Sequence, residues 1–375
     1  MQFTAIESYL VGSVGLHFVI GQISLPFGDS IVTGISFDGQ PLDLFMDTGV
    51  SGTSVIYKDW YEKVYGKGSC PPRLCYVCTS ACDPFKMKNH TTRFVDGSTI
   101  TTVQHEGEID VSGHKLKTRF RLIIGFTRSV STRKPVNFLG LAFADTDNPH
   151  TVPLDLFNNK IVQEYSVSVS ISASGVATFS GHLLLGQWKD KCPIKAATTM
   201  TVPMNGEYPS VLATNLHSLG LVSSRGQAST KQLSGAVAVY DTGTYTLSFP
   251  QVQLGYLLEE IRQSVNNDSG RYPKIERSGL FWLIEKAAYN FLPTLTFNVG
   301  SYPLSPLVIR IPPKKYAQKH DDGWYVLKMI SHQSSSAVII LGRPFFTTYL
   351  SSFDMQRKLV KLARYSDRPL IGSPL

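Results

Sequence analysis

Leu44-Phe45-Met46-Asp47-Thr48-Gly49 in the first half of the chain is echoed by Ala238-Val239-Tyr240-Asp241-Thr242-Gly243 in the second. Each copy is an apolar run that reads as a β-strand and ends in the same tripeptide. One Asp-Thr-Gly alone signals little more than a turn, because Asp hydrogen-bonds its own backbone and Gly accepts the left-handed region. Here a second pair repeats in the same order. Phe138-Leu139-Gly140-Leu141 follows the first tripeptide, and Ile340-Leu341-Gly342 follows the second. In a chain of 375 residues, this order implies a duplicated unit and two similar lobes. The N-terminal lobe is expected over residues 18–195 and the C-terminal lobe over 196–375. The boundary falls near the polar stretch Trp188-Lys189-Asp190-Lys191-Cys192-Pro193.

Composition agrees with a two-lobed, mainly β protein. The length exceeds the ~250–300 residues at which one core stops growing. Hydrophobic residues make up 42%, which excludes a mainly disordered chain. Charged residues are only 17%, against roughly 25% in a typical domain, and 30 Gly and 21 Pro supply many turns. Tyr165-Ser166-Val167-Ser168-Val169-Ser170-Ile171-Ser172 alternates as a strand with an apolar and a serine face, and Leu295–Val299 alternates similarly. Ala236–Tyr240 is a continuous apolar run, as a strand buried on both faces would be. One long helix is expected after Pro250 through Leu254, Leu257, Leu258, Ile261 and Val265, and a shorter one through Leu154, Leu156, Phe157 and Ile161. Tyr316 to Trp324 reads as a polar hairpin.

The net charge is +8, but no Lys/Arg run exceeds two residues, so a nucleic-acid face is not expected. No stretch of 18 apolar residues marks a membrane span. Residues 1–17 are set apart as an N-terminal extension or partial signal segment. The apolar patch Tyr9–Ile20 reads as the first strand or as an imperfect signal peptide.

The chemistry rests on the paired aspartates. Hydrolysing a peptide bond needs a base to take a proton from water and an acid to polarise the carbonyl. Two carboxylates held about 3 Å apart cannot both ionise, so they share one proton, and one serves as base while the other serves as acid. Gly49 and Gly243 let the backbone approach and offer N–H groups to the carboxylates. Thr48 and Thr242 can hydrogen-bond across to the opposite loop.

These residues resemble the pepsin-like aspartic proteases. Val239-Tyr240-Asp241-Thr242-Gly243-Thr244 is similar to the family's second active-site segment, and Ile340-Leu341-Gly342-Arg343-Pro344-Phe345-Phe346 with Phe353-Asp354 to its C-terminal segment. Leu292–Phe297 matches the strand after the long second-lobe helix. The resemblance covers roughly residues 18–365. It implies a mainly β, bilobal pepsin-like fold with a substrate cleft between two pseudo-symmetric lobes. It also implies an aspartic endopeptidase with Asp47 and Asp241 as the catalytic pair. Thr48, Gly49, Thr242, Gly243 and Thr244 become supporting loop residues, and Gly140 and Gly342 brace the loops from behind. A flap carrying Phe94, Asp96, Gly97 and Ser98 would close over an extended peptide. No metal and no cofactor are expected, and the peptide or protein substrate is the expected partner of a monomer.

The departures from the family pattern are specific. Val50 replaces a serine whose hydroxyl supports the first carboxylate, which should make ionisation of Asp47 less favourable. Ser54 stands where a tryptophan would be, and Phe94 where a flap tyrosine would be. Those two partners hydrogen-bond each other in the family, and both change here together. The competing expectation is a catalytically inactive member of the fold that binds peptides or partner proteins.

Cys70, Cys75, Cys78 and Cys82 lie within thirteen residues, and Cys192 stands alone. Four clustered cysteines make two disulfides with three possible pairings, or else one zinc site using Cys75-Tyr76-Val77-Cys78. Disulfides are the favoured expectation. Two sequons, Asn89-His90-Thr91 and Asn267-Asp268-Ser269, fit a glycoprotein of the secretory pathway, extracellular or in an acidic vacuole-like compartment. Motifs for a serine-hydrolase elbow, a P-loop, a dinucleotide loop and a His-Glu-x-x-His metal site do not occur.

Overall fold

Strand Gln40–Asp47 buries Leu42, Leu44, Phe45 and Met46, so its apolar run is packed on both faces, as the sequence pattern requires. The computed structural model describes residues 21–78, 82–127, 134–147, 149–172, 178–186, 199–301, 305–321, 323–332 and 337–365. The expected N-terminal extension, the stretch around the lobe boundary and Cys192 lie outside the described residues.

One 14-stranded sheet runs through both halves. Where the halves meet, Ser166–Ile171 pairs antiparallel with Gly181–Gly186 on one side and with Tyr349–Asp354 on the other. The first-half strand thus joins the second half directly, with Ser168 opposite Ser352. Near this junction the serine side of the strand does not meet solvent. Ser166 and Ser168 are buried, because the strand is covered on both sides at this junction. Their hydroxyls are satisfied internally: Ser168 donates to Ser352 Oγ at 2.8 Å, and Ser166 donates to the Gly186 carbonyl.

The second half builds a seven-stranded sheet in which Ala228–Tyr240 pairs parallel with Val338–Leu341. In the first half Gln40–Asp47 pairs parallel with Phe138–Gly140, placing Asp47 opposite Gly140. The two halves repeat the same local construction. Tyr240 is fully buried between Phe345 and Phe353, with ring centroids at 5.0 and 5.6 Å, and its hydroxyl meets Thr214 Oγ1 at 2.9 Å.

Helix Gln251–Ser269 buries Leu254, Leu257, Leu258, Ile261 and Val265, starts after Pro250 and ends at Gly270 with φ 74°. The shorter helix is Val152–Asn158, so Ile161 lies beyond its end. Ala317–Lys319 and Trp324–Leu327 pair antiparallel as the polar hairpin. Cys70 bonds Cys75, and Cys78 bonds Cys82, which is the sequential pairing among the three possible. No helix among the described residues is long and apolar enough to cross a membrane.

Candidate active site

Each Asp-Thr-Gly leaves its strand at a point where a neighbouring chain crosses very close behind. A Cβ on Gly140 would lie 2.0 Å from the Gly52 carbonyl oxygen and 2.7 Å from that of Val50. A Cβ on Gly342 would lie 2.2 Å from the carbonyl oxygens of both Thr244 and Thr246. Only glycine fits at either crossing. Backbone hydrogen bonds then fix both loops. Leu141 N donates to Asp47 O at 2.8 Å, Ala142 N to Val50 O at 3.1 Å, and Arg343 N to Thr244 O at 2.9 Å.

The two loops hold each other through their threonines. Thr48 N donates to Thr242 Oγ1 at 3.0 Å, and Thr242 N donates to Thr48 Oγ1 at 2.9 Å. Each hydroxyl in turn donates to the chain before the opposite aspartate: Thr48 to Tyr240 O at 2.8 Å, Thr242 to Met46 O at 3.0 Å. Both threonines are fully buried. Four buried hydrogen bonds related by a pseudo-twofold axis leave little freedom for one loop to slide past the other.

That arrangement brings the carboxyl groups face to face. A Cβ on Gly243 would lie 2.6 Å from Asp47 Oδ2, and one on Gly49 would lie 2.9 Å from Asp241 Cγ, so each carboxyl group rests on the other loop's glycine. Gly49 N donates to Asp47 Oδ1 at 2.8 Å, and Gly243 N to Asp241 Oδ1 at 2.7 Å. The symmetry breaks one residue further on. Thr244 Oγ1 donates to Asp241 Oδ2 at 2.6 Å, whereas Val50 has no hydroxyl to offer Asp47.

The electrostatics follow from this difference. Burial pushes the Asp47 carboxyl well above the usual carboxylate range. The neighbouring Asp241 charge pushes it further, and only the Gly49 N–H pulls back appreciably. Burial also raises Asp241, but the Thr244 hydroxyl, the N–H groups of Gly243 and Thr244 and the contact with Asp47 oppose it. Asp47 thus lacks the hydroxyl donor that opposes the rise at Asp241.

The hairpin of Asn89–Arg93 and Thr99–Val111 carries the expected flap residues. Its turn closes through Phe94 N to Ser98 O at 2.9 Å, and Gly97 adopts φ 83°. Asp96 Oδ1 accepts from Ser98 N at 2.9 Å and from Ser98 Oγ at 2.6 Å. Phe94 stacks on Phe138 with centroids 5.4 Å apart. From there Phe138 meets Phe45 at 6.3 Å, and Phe45 stacks on Tyr245 at 6.3 Å. A row of rings thus runs from the flap to the residue after Thr244. Phe45 and Phe138 stand two residues before Asp47 and Gly140, so strand alternation turns them to the same face as those residues. That spacing was the available signal for a role beyond core packing. Ser54 is buried in strand Thr53–Tyr57, away from water.

At the cysteine-rich insert, a sulfur each from Cys78 and Cys82 and a ring nitrogen of His105 lie within 4.8 Å of one another, but both sulfurs are committed to a disulfide. This insert has the only such group of possible ligands among the described residues.

Comparison with known proteins agrees with this geometry. A search of curated proteins finds no match. Among solved structures, the fold is similar to that of an aspartic proteinase from Irpex lacteus. The TM-score is 0.66 at 15% identity, and the match covers 92% of this chain and 98% of that one. At that identity the likeness concerns the fold. The model of the eukaryotic aspartyl protease family matches residues 32–365, a span that includes both Asp-Thr-Gly loops, the flap hairpin and both bracing glycines, and the chain belongs to that family.

Proposed function

We propose that the chain is an aspartic endopeptidase that hydrolyses peptide bonds with a water activated between Asp47 and Asp241. The observation that carries this reading is the pair of carboxyl groups, one from each half, Asp47 buried and Asp241 partly buried, resting on each other's glycine. At mildly acidic pH Asp241 is the ionised partner and takes a proton from the water. Asp47 is the protonated partner and donates to the scissile carbonyl oxygen as the tetrahedral intermediate forms. The shared proton is then redistributed as the amine leaves, so the pair returns to its starting state. No covalent bond to the protein is required. The peptide lies extended in the cleft under the flap, with Phe94 against an apolar side chain. Two disulfides and the exposed Asn89 sequon support a secreted, glycosylated protein acting in an acidic or extracellular setting.

The test is cleavage of a peptide library at mildly acidic pH, with and without pepstatin, by the wild type and by Asp47→Asn and Asp241→Asn. Each variant should lose about 10³-fold in kcat, the scale of positioned acid–base catalysis. Full activity in either variant would sink the assignment. The missing hydroxyl beside Asp47 favours a second reading, in which the cleft binds peptides without cutting them. That reading predicts saturable binding and no turnover from about pH 3 to 7, across the carboxylate range.

A further inference from the structure

We infer that Arg343 is a positioning residue for the aspartate pair, clamping the second active-site loop onto the first lobe; this rests on the protease reading. Arg343 directly follows Gly342, and its backbone N–H is already tied to Thr244 O. Its side chain leaves its own half of the chain. Nη1 donates to Asp29 Oδ1 at 2.7 Å, and Nη2 donates to Ser30 Oγ at 3.1 Å and to Asp29 O at 3.3 Å. The guanidinium carbon lies 3.5 Å from the Tyr245 ring centroid and 4.7 Å from that of Phe179.

This is not an ordinary surface ion pair. Asp29 is 71% exposed, but the Arg343 side chain is only 12% exposed, and its Nε is buried with no hydrogen-bond partner among the described residues. A desolvated cation with an unsatisfied donor persists only where the surrounding packing fixes it. Asp29 and Ser30 also hold left-handed backbone conformations, at φ 49° and 67°. The guanidinium therefore grips a turn that is itself constrained.

Two short routes lead from this grip to the acid pair. On the first lobe, Ser30 O accepts from Met46 N at 2.8 Å, one residue before Asp47. On the second, Arg343 N holds Thr244, whose hydroxyl binds Asp241, while the guanidinium contacts Tyr245, which stacks on Phe45. A lysine could keep the charge but not the fork or the stacked plane. Arg343 thus sets how the two loops meet without touching substrate.

The experiment compares Arg343→Lys and Asp29→Asn with the wild type, reading kcat and KM separately, together with amide exchange at residues 46–49 and 242–244. Asp29 is mostly exposed, so its variant tests the clamp even if Arg343→Lys folds poorly. Arg343→Lys should lower kcat about tenfold with KM within about twofold, as a small misplacement of reacting groups does. Asp29→Asn should lower it about threefold, with faster exchange in the same amides in both variants. Unchanged kcat with unchanged exchange would overturn the clamp while leaving the protease reading intact. Should the wild type not cleave peptides, the protease reading fails by itself. The clamp then stands on about tenfold faster exchange at residues 46–49, and falls if exchange is unaltered.

Discussion

Replacing Thr48 by valine removes one hydroxyl and keeps the side-chain shape. In the wild type that hydroxyl accepts from Thr242 N at 2.9 Å and donates to Tyr240 O at 2.8 Å, both in buried surroundings. The variant leaves the Thr242 N–H without its acceptor and the Tyr240 carbonyl without this donor. Each such loss costs about 1–3 kcal/mol, so Thr48→Val should destabilise by roughly 2–5 kcal/mol after a small gain from the extra methyl. Thr48→Ser keeps both hydrogen bonds and deletes only a methyl, at about 1 kcal/mol. Equilibrium denaturation of the two variants beside the wild type measures the difference. Adding Thr242→Val should cost less than the sum of the single changes, because the two threonines share partners, with a coupling on the order of 0.5–3 kcal/mol. If Thr48→Val were as stable as Thr48→Ser, the cross-loop hydrogen bonds would not hold the site together.

Three further outcomes are expected. Val50→Thr should give Asp47 the donor that Thr244 gives Asp241, lowering the Asp47 pKa, so the alkaline limb of the pH–activity profile moves to lower pH; an unmoved limb would contradict the assigned protonation. Because Asp47 is raised in the folded state, its favourable contribution is complete below the unfolded pKa of about 3.9 and is lost as pH rises through the folded value. Asp47→Asn should therefore be more stable than the wild type at pH 7 by on the order of 1 kcal/mol or more, with the gap closing below about pH 4 in thermal melts. Gly342→Ala forces a Cβ to within 2.2 Å of two backbone carbonyl oxygens and should cost about 4 kcal/mol or more, read as lost soluble yield and a lowered Tm.

Much of the site was legible because duplication marks it twice. Asp47 and Asp241, their threonines, and Gly140 and Gly342 all lie in repeated words, and the repeat itself dictates a pseudo-twofold meeting. Arg343 was legible only as a letter in the second word. Its partner Asp29 is 314 residues away, and no local period encodes that contact. The burial of Ser166 and Ser168 was not legible for a related reason. Alternation reports two chemically different faces, but whether the polar face meets water depends on a neighbour from the far end of the chain, here Tyr349–Asp354. Helix Gln251–Ser269 read correctly because its signal is local: a proline start, a helical spacing and a glycine stop. The disulfide pairing could not be read, since all three connectivities suit cysteines so crowded.

The continuous sheet that joins Ser166–Ile171 to Tyr349–Asp354 has a consequence for how this molecule comes into being. A ribosome releases the first of these segments nearly two hundred residues before the second exists. Until residues 349–354 emerge, the Ser166–Ile171 strand presents a bare hydrogen-bonding margin that invites pairing with any extended peptide nearby. Maturation must therefore await the carboxyl end, and a fragment cut short before residue 349 should be prone to aggregate.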